Sequence, residues 1–193
     1  MNLSELSATQ IGIAIVVVAV IVAAGIAIWF SIRKRRTEKL RTQFGNAEYT
    51  RAVNEGGSQR KAEAALDQRA ERVEALHIRP LASADRARFV ESWARVQARF
   101  VDSPGGAVTD ADQLLGDVLS TRGYPMSDFE QRAADISVDH PLVLENYRAA
   151  HEAALRQTRG QASTEDLRQA MIHYRTLFEE LVAEPELARA KGA

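Results

Sequence analysis

The chain has 193 residues, carries 25 Lys and Arg against 26 Asp and Glu, and has no cysteine. A length of this kind suits one membrane segment plus one domain, and the missing cysteine excludes a disulfide scaffold, a thiolate nucleophile, zinc ribbons and iron–sulfur ligation. The near-neutral charge argues against a general nucleic-acid binder, and 11 Gly and 5 Pro are too few for a low-complexity chain.

Residues 1–10 read as a short extracytoplasmic tail whose one charged side chain is Glu5. Residues 11–32 then read as a transmembrane helix. No charge falls between Glu5 and Arg33, and twelve of the twenty residues from Ile11 to Phe30 are Ile, Val or Phe. Twenty helical residues reach about 30 Å, the thickness of the hydrocarbon core, and those twelve side chains contribute roughly −5 kcal/mol towards insertion. Trp29 and Phe30 stand where an aromatic belt meets the headgroups. A cleaved signal peptide is the rival reading. It expects a basic start and a shorter apolar run, and the first ten residues hold no Lys or Arg.

Arg33, Lys34, Arg35 and Arg36 follow the run directly, with Lys39 and Arg41 soon after. The positive-inside rule places the amino terminus outside and the carboxy-terminal domain in the cytoplasm, in a single pass through a bacterial inner membrane. The same four basic residues are expected to attract anionic headgroups. Ala19, Ala23 and Ala27 recur every fourth residue, with Gly12 and Gly25 nearby, and small residues at that spacing let a second copy of the helix approach in a homodimer.

From residue 37 onward the chain carries about four more acidic than basic side chains, and nearly every segment reads as helix. Residues 33–80 are expected to form a basic neck and helical stalk. Within it, 37–55 has Leu40, Phe44 and Ala47 on one face, with Tyr49 and Val53 on another. Gly56–Gly57 ends that helix, Ser58 caps the next, and Pro80 stops it near Ile78. Residues 81–183 are expected to form a helical bundle. Ser83 opens a helix with Phe89, Trp93, Val96 and Phe100 on one stripe, and Ser103-Pro104-Gly105-Gly106 breaks the chain. Ala111, Leu114, Leu115, Val118 and Leu119 share the next face, which Gly123 and Pro125 terminate. Ser127 to Glu130 reads as a capping box, Asp139-His140-Pro141 as another start, and Ser163 to Asp166 as the cap of a last amphipathic helix. Residues 184–193 read as a flexible tail. No segment alternates with period two, so the fold class is all-α.

Few residue patterns suggest chemistry. His151-Glu152 begins like a zinc-protease helix, but Leu155 occupies the second ligand's position. Asp110, Asp112 and Asp117 suggest a calcium loop, but Leu115 and Thr121 stand where that loop needs Gly and Glu. The polar stretch with Asp135, Asp139 and His140 admits a carboxylate–imidazole site working with Tyr147. Helix capping by Asp139 or His140, with Asp135 paired to Arg132 or Arg148, accounts for the same residue types. His77 and His173 stand alone on helices, His173 facing solvent. Arg86, Arg88, Arg95 and Arg99 around Trp93 are diluted by Asp85 and Glu91, so no nucleic acid is expected as a partner. No phosphate loop, dinucleotide fingerprint or nucleophile elbow occurs, and no metal or cofactor is expected.

Residues 78–81 (IRPL), 93–102 (WARVQARFVD), 122–125 (RGYP), 128–135 (DFEQRAAD), 137–141 (SVDHP) and 163–175 (STEDLRQAMIHYR) resemble a family of bacterial membrane or secreted proteins of unassigned activity. The resemblance covers roughly residues 60–182. It implies a discrete domain of bacterial origin and transfers no catalytic residue. The sequence thus points to a membrane-anchored, cytoplasmic helical interaction or scaffold module that binds the lipid bilayer and a protein partner, with Tyr124, Pro125, Met126, Asp135, Asp139 and His140 as the candidate partner site. The alternative is an enzyme or small-ligand receptor built on Asp135, Asp139 and His140.

Overall fold

In the computed structural model, which describes residues 8–183, the helices follow one another as α1 (Ala8–Gly56), α2 (Gln59–Glu74), α3 (Ser83–Arg99), α4 (Pro104–Arg122), α5 (Phe129–Asp139), α6 (Pro141–Thr158) and α7 (Thr164–Val182). No strand occurs among the described residues, so the fold is all-α. Most of the expected amino-terminal tail and all of the tail at 184–193 lie outside the described residues. Contacts divide the chain into two units, residues 1–42 and 43–193.

The first unit is the apolar part of α1 and its basic continuation. By length and composition this helix can cross a membrane, and its apolar window is not buried by the rest of the chain. Ile13, Val18, Ile21, Ile28 and Phe30 are all more than half exposed. Ile11 lies in the helix, and Ala19, Ala23 and Ala27 are exposed on it. The Trp29 and Phe30 rings meet edge to face at 5.0 Å, and the Arg33 guanidinium lies 5.4 Å over the Trp29 ring. Polar backbone groups in this stretch are satisfied within the helix, the condition for any single segment in hydrocarbon.

The second unit begins at Gln43, so residues 43–80, expected as a stalk apart from the bundle, belong to the same unit as the bundle. Two features explain the difference. Gly45 adopts φ 75° and ψ 161°, a conformation open essentially to glycine alone, and breaks α1 there. The break changes which side chains share a face. Phe44, Tyr49 and Ala52 are buried, Ala47 is exposed and Val53 half-buried, in place of the expected grouping of Ala47 with Phe44. Gly56–Gly57 then turns the chain and Ser58 caps α2, its Oγ accepting from the Lys61 amide at 3.4 Å, as the spacing predicts. The Tyr49 hydroxyl donates to Glu63 at 2.9 Å and ties the end of α1 to α2 as a hairpin.

Helices α3 to α7 enclose one contiguous core. Helix α7 packs against α3, α4 and α6, while α5 bridges α6 and α2. The stripe of Phe89, Trp93 and Val96 is buried as expected, and Trp93 stacks on Phe178 at 4.8 Å with their planes 14° apart. The α4 face of Ala111, Leu114, Leu115, Val118 and Leu119 is buried throughout. Ser163 and Asp166 form the expected reciprocal capping box at the start of α7.

Ser83 opens α3 as expected, with Ala82 in the capping position and no side-chain cap. Two other expected helix starts are corrected. Ser103 precedes α4, which begins at Pro104 and takes Gly105 and Gly106 into its first turn, because Pro at the first position needs no amide partner. Asp128, not Ser127, caps α5 by accepting from the Gln131 amide at 2.9 Å, while the Ser127 hydroxyl is buried without a protein partner.

Gly123 ends α4 as predicted, at φ 103°, with the amides of Gly123 and Tyr124 both returned to the Leu119 carbonyl. The α2–α3 connection crosses this turn. Arg79 donates its amide to the Arg122 carbonyl at 2.8 Å, and a Cβ on Gly123 would lie 2.6 Å from the His77 carbonyl oxygen. Gly123→Ala is therefore expected to cost about 3 kcal/mol from left-handed strain and overlap together, read as a lowered urea midpoint. An unchanged midpoint would mean that the connection does not hold this position.

Candidate functional site

The residues singled out between Tyr124 and His140 divide into two sets by partner. Tyr124 bonds Asp139 and His140 meets Glu180 and Arg122, whereas Asp135, one turn before Asp139 on α5, pairs with Arg72 of α2.

The first set closes the end of the bundle. Tyr124, buried behind the Gly123 turn, donates its hydroxyl to Asp139 Oδ2 at 2.9 Å. Burial first, then the Asp139 carboxylate, pushes the Tyr124 hydroxyl well above its ordinary range. His140, in the turn between α5 and α6, places Nδ1 3.1 Å from Glu180 Oε1 and Nε2 3.3 Å from Arg122 Nη1. Arg122 also donates to the Leu181 carbonyl at 3.2 Å. A guanidinium only donates, so Nε2 must carry the lone pair and Nδ1 the proton that Glu180 accepts. His140 stands in the capping position of α6 as expected, but its side chain makes no cap bond, and Asp139 is engaged with Tyr124. This corrects the expected capping by a side chain.

Burial holds the His140 imidazole below its usual range, with the Arg122 charge acting in the same direction and Glu180 opposing. A histidine whose folded pKa is depressed binds fewer protons than the unfolded chain. Its contribution is thus complete above the free-histidine range near 6.5 and is lost as pH falls through it. Urea midpoints are expected to drop between pH 7.5 and 5.5, and His140→Gln to flatten that slope. A variant with the same slope as the parent would remove His140 from the account.

The second set faces α2. Asp135, almost fully buried, accepts from Arg72 Nη2 at 2.7 Å and Nε at 3.0 Å, and from Gln131 at 2.9 Å, all on Oδ1. Its pairing partner is Arg72 on α2 rather than Arg132 or Arg148, because α2 packs on α5. Arg148 instead reaches Glu130 at 2.9 Å and Glu48 at 3.6 Å. Pro125 and Met126 are exposed on the connection between α4 and α5. Tyr147 sits in the core against Phe129, with ring centroids 5.0 Å apart, and burial pushes its hydroxyl up to about 12. The four residues of an enzyme site thus point to Arg72, to Tyr124, to Glu180 with Arg122, and into the core. None of the four lines the surface groove between α3 and α4.

A third polar group was not legible as a unit. Asp112 on α4 accepts from the buried Tyr174 hydroxyl at 2.9 Å and faces His151 Nδ1 at 3.6 Å, beyond hydrogen-bond range. The His151 ring stacks on Phe129 at 3.6 Å, with planes 6° apart. Burial alone would raise the Asp112 carboxyl, but Tyr174, His151 and the Arg132 charge outweigh it and hold the group below its ordinary range. Burial and the neighbouring Asp112 anion push the Tyr174 hydroxyl far up. One signal in the sequence could have found this pair: a tyrosine inside an otherwise apolar stripe needs a polar partner on the facing helix.

The three aspartates of the weighed calcium loop are all on α4 and separate in role. Asp110 pairs with Arg99, Asp112 holds Tyr174, and Asp117 lines a groove. That groove, between α3 and α4, has two sections of about 320 and 350 Å³, bordered by Arg88, Ser92, Arg95, Arg99 and Thr121. Its arginines are paired, Arg88 with Asp85 and Arg95 with Glu91, and Trp93 is buried on Phe178 and unavailable for stacking on a base. Among the described residues no three His, Asp or Glu side chains gather as metal ligands. His173, expected to face solvent, is half-buried with Nδ1 2.9 Å from Asn146 Oδ1.

The fold defines a class: an all-α bundle whose chain carries one long apolar helix near its amino terminus. No family model, curated protein or solved structure matches the chain.

Proposed function

We propose that the protein is a single-pass protein of the bacterial inner membrane whose helical domain serves on the cytoplasmic side as an interaction or scaffold module. The observation that carries this reading is the exposed apolar part of α1, followed at once by Arg33, Lys34, Arg35 and Arg36. A row of half-exposed Ile and Val side chains is stable in lipid and costly in water. The cationic end favours the side of the membrane with anionic headgroups. The domain itself offers a polar groove between α3 and α4 whose arginines are already paired, a composition suited to contact with other proteins more than to chemistry. Pro125 and Met126, exposed beside the Tyr124–Asp139 pair, mark the partner surface.

Reporters fused to each end test the placement. The carboxy-terminal fusion is expected to be active only in a cytoplasmic assay and the amino-terminal one only outside. A mature chain trimmed behind residue 30 and recovered free of the membrane would overturn the reading, as would the reverse orientation.

A further inference from the structure

We propose that the hairpin formed by α1 after Gly45 and by α2 is a releasable strap, which leaves the α5–α6 face while the bundle stays folded. Its buried apolar side chains, Ala52, Ala62, Leu66 and Val73, form no part of the contiguous core that Leu81 to Val182 build. The ties between strap and bundle are charged. Arg72 holds the buried Asp135 through two nitrogens. Glu48, itself 4 % exposed, stands between Arg69 of α2 and Arg148 of α6. Arg148 and Arg51 share Glu130 on α5, at 2.9 and 3.5 Å, and Arg51 returns to Glu55 at 2.8 Å.

Such a seam differs physically from an apolar one. Charges that separate into water regain their hydration, so a docked ion pair roughly breaks even against its hydrated parts, whereas separated apolar faces regain nothing. Salt screens the paired state further. Asp135 shows the compromise: Oδ1 collects every donor, while Oδ2 is buried without a partner and is hydrated only when α2 lifts away. The strap therefore opens below the free energy that unfolds the bundle, in the manner of a separate cooperative unit. Release uncovers Asp135 and frees Glu130, which is already exposed, from Arg51. Their use in recognition rests on the interaction-module reading, but release itself is measured without any partner.

Native-state hydrogen exchange on the full chain in phosphatidylcholine nanodiscs tests it. Amides of α2 are expected to exchange at least about tenfold faster than those of α6 and α7, and to speed up several-fold as NaCl rises from about 0.05 to about 0.5 M, while α6 and α7 do not respond. Replacing the central pair with apolar side chains, Arg72→Met with Asp135→Leu, is expected to slow α2 exchange and blunt its salt response. Equal protection across α2, α6 and α7, or an α2 rate indifferent to salt, overturns the proposal even if the reporters place the domain as proposed. The double variant exchanging as the parent does would also count against it.

Discussion

A chain carrying Val18→Arg and Val22→Arg is expected to fractionate away from the membrane. Both side chains are more than half exposed on α1, at 59 % and 54 %, so neither substitution disturbs packing inside the protein. An arginine near the centre of a spanning helix costs about 2.5–3.5 kcal/mol, and each lost valine removes a few tenths more. The pair thus costs about 6–7 kcal/mol, enough to cancel the roughly −5 kcal/mol that the Ile, Val and Phe side chains supply. Carbonate extraction followed by immunoblotting reads the outcome. Leu142→Arg, at a site 90 % exposed on α6, serves as the control and is expected to stay with the membrane. Retention of the double variant at the parent's level would remove the spanning role from α1.

Trp93→Ala should carry the largest cost to the folded domain, about 3–5 kcal/mol. The indole is 6 % exposed and lies nearly parallel to Phe178, at the contact where α3 meets α7. Its removal leaves a cavity that helix ends cannot easily close and strips Phe178 of its stacking partner. Trp93→Phe should cost much less, because it keeps a ring there. The chain's other tryptophan, Trp29, lies outside the bundle, and Trp29→Ala is expected to leave the urea midpoint unchanged. A Trp93→Ala midpoint within error of the parent would mean that the α3–α7 contact is not part of the cooperative core.

What could be read from sequence was whatever depends on one helix at a time. The apolar run of α1, the buried stripe of α4, the Gly123 stop and the capping box at Ser163 each follow from residues within a few turns of one another, and each is present. Gly45 was invisible because a lone glycine within a helical pattern is tolerated as often as it breaks the helix, and only the backbone conformation tells the two apart. The Asp135–Arg72 pair spans 63 residues and the Tyr174–Asp112 pair spans 62, so no local spacing could announce them. The charged, thinly apolar α2 read as an exposed stalk for a related reason. Its charges look solvated along the sequence, yet Arg69 and Arg72 find carboxylates on other helices. The candidate partner residues read as one polar cluster along the chain, but their adjacency concealed that they bond to different helices, Asp135 to α2 and His140 to α7.

The run of opposite charges from Arg69 through Glu48, Arg148, Glu130 and Arg51 to Glu55 alternates in sign at every step. Losing an interior member brings two like charges face to face: without Glu48, Arg69 confronts Arg148. Tolerated drift at these positions should accordingly proceed by compensated exchanges. A descendant lacking the acid at 48 is expected to have surrendered a guanidinium at 69 or 148 as well, so that the six sites behave as one heritable character.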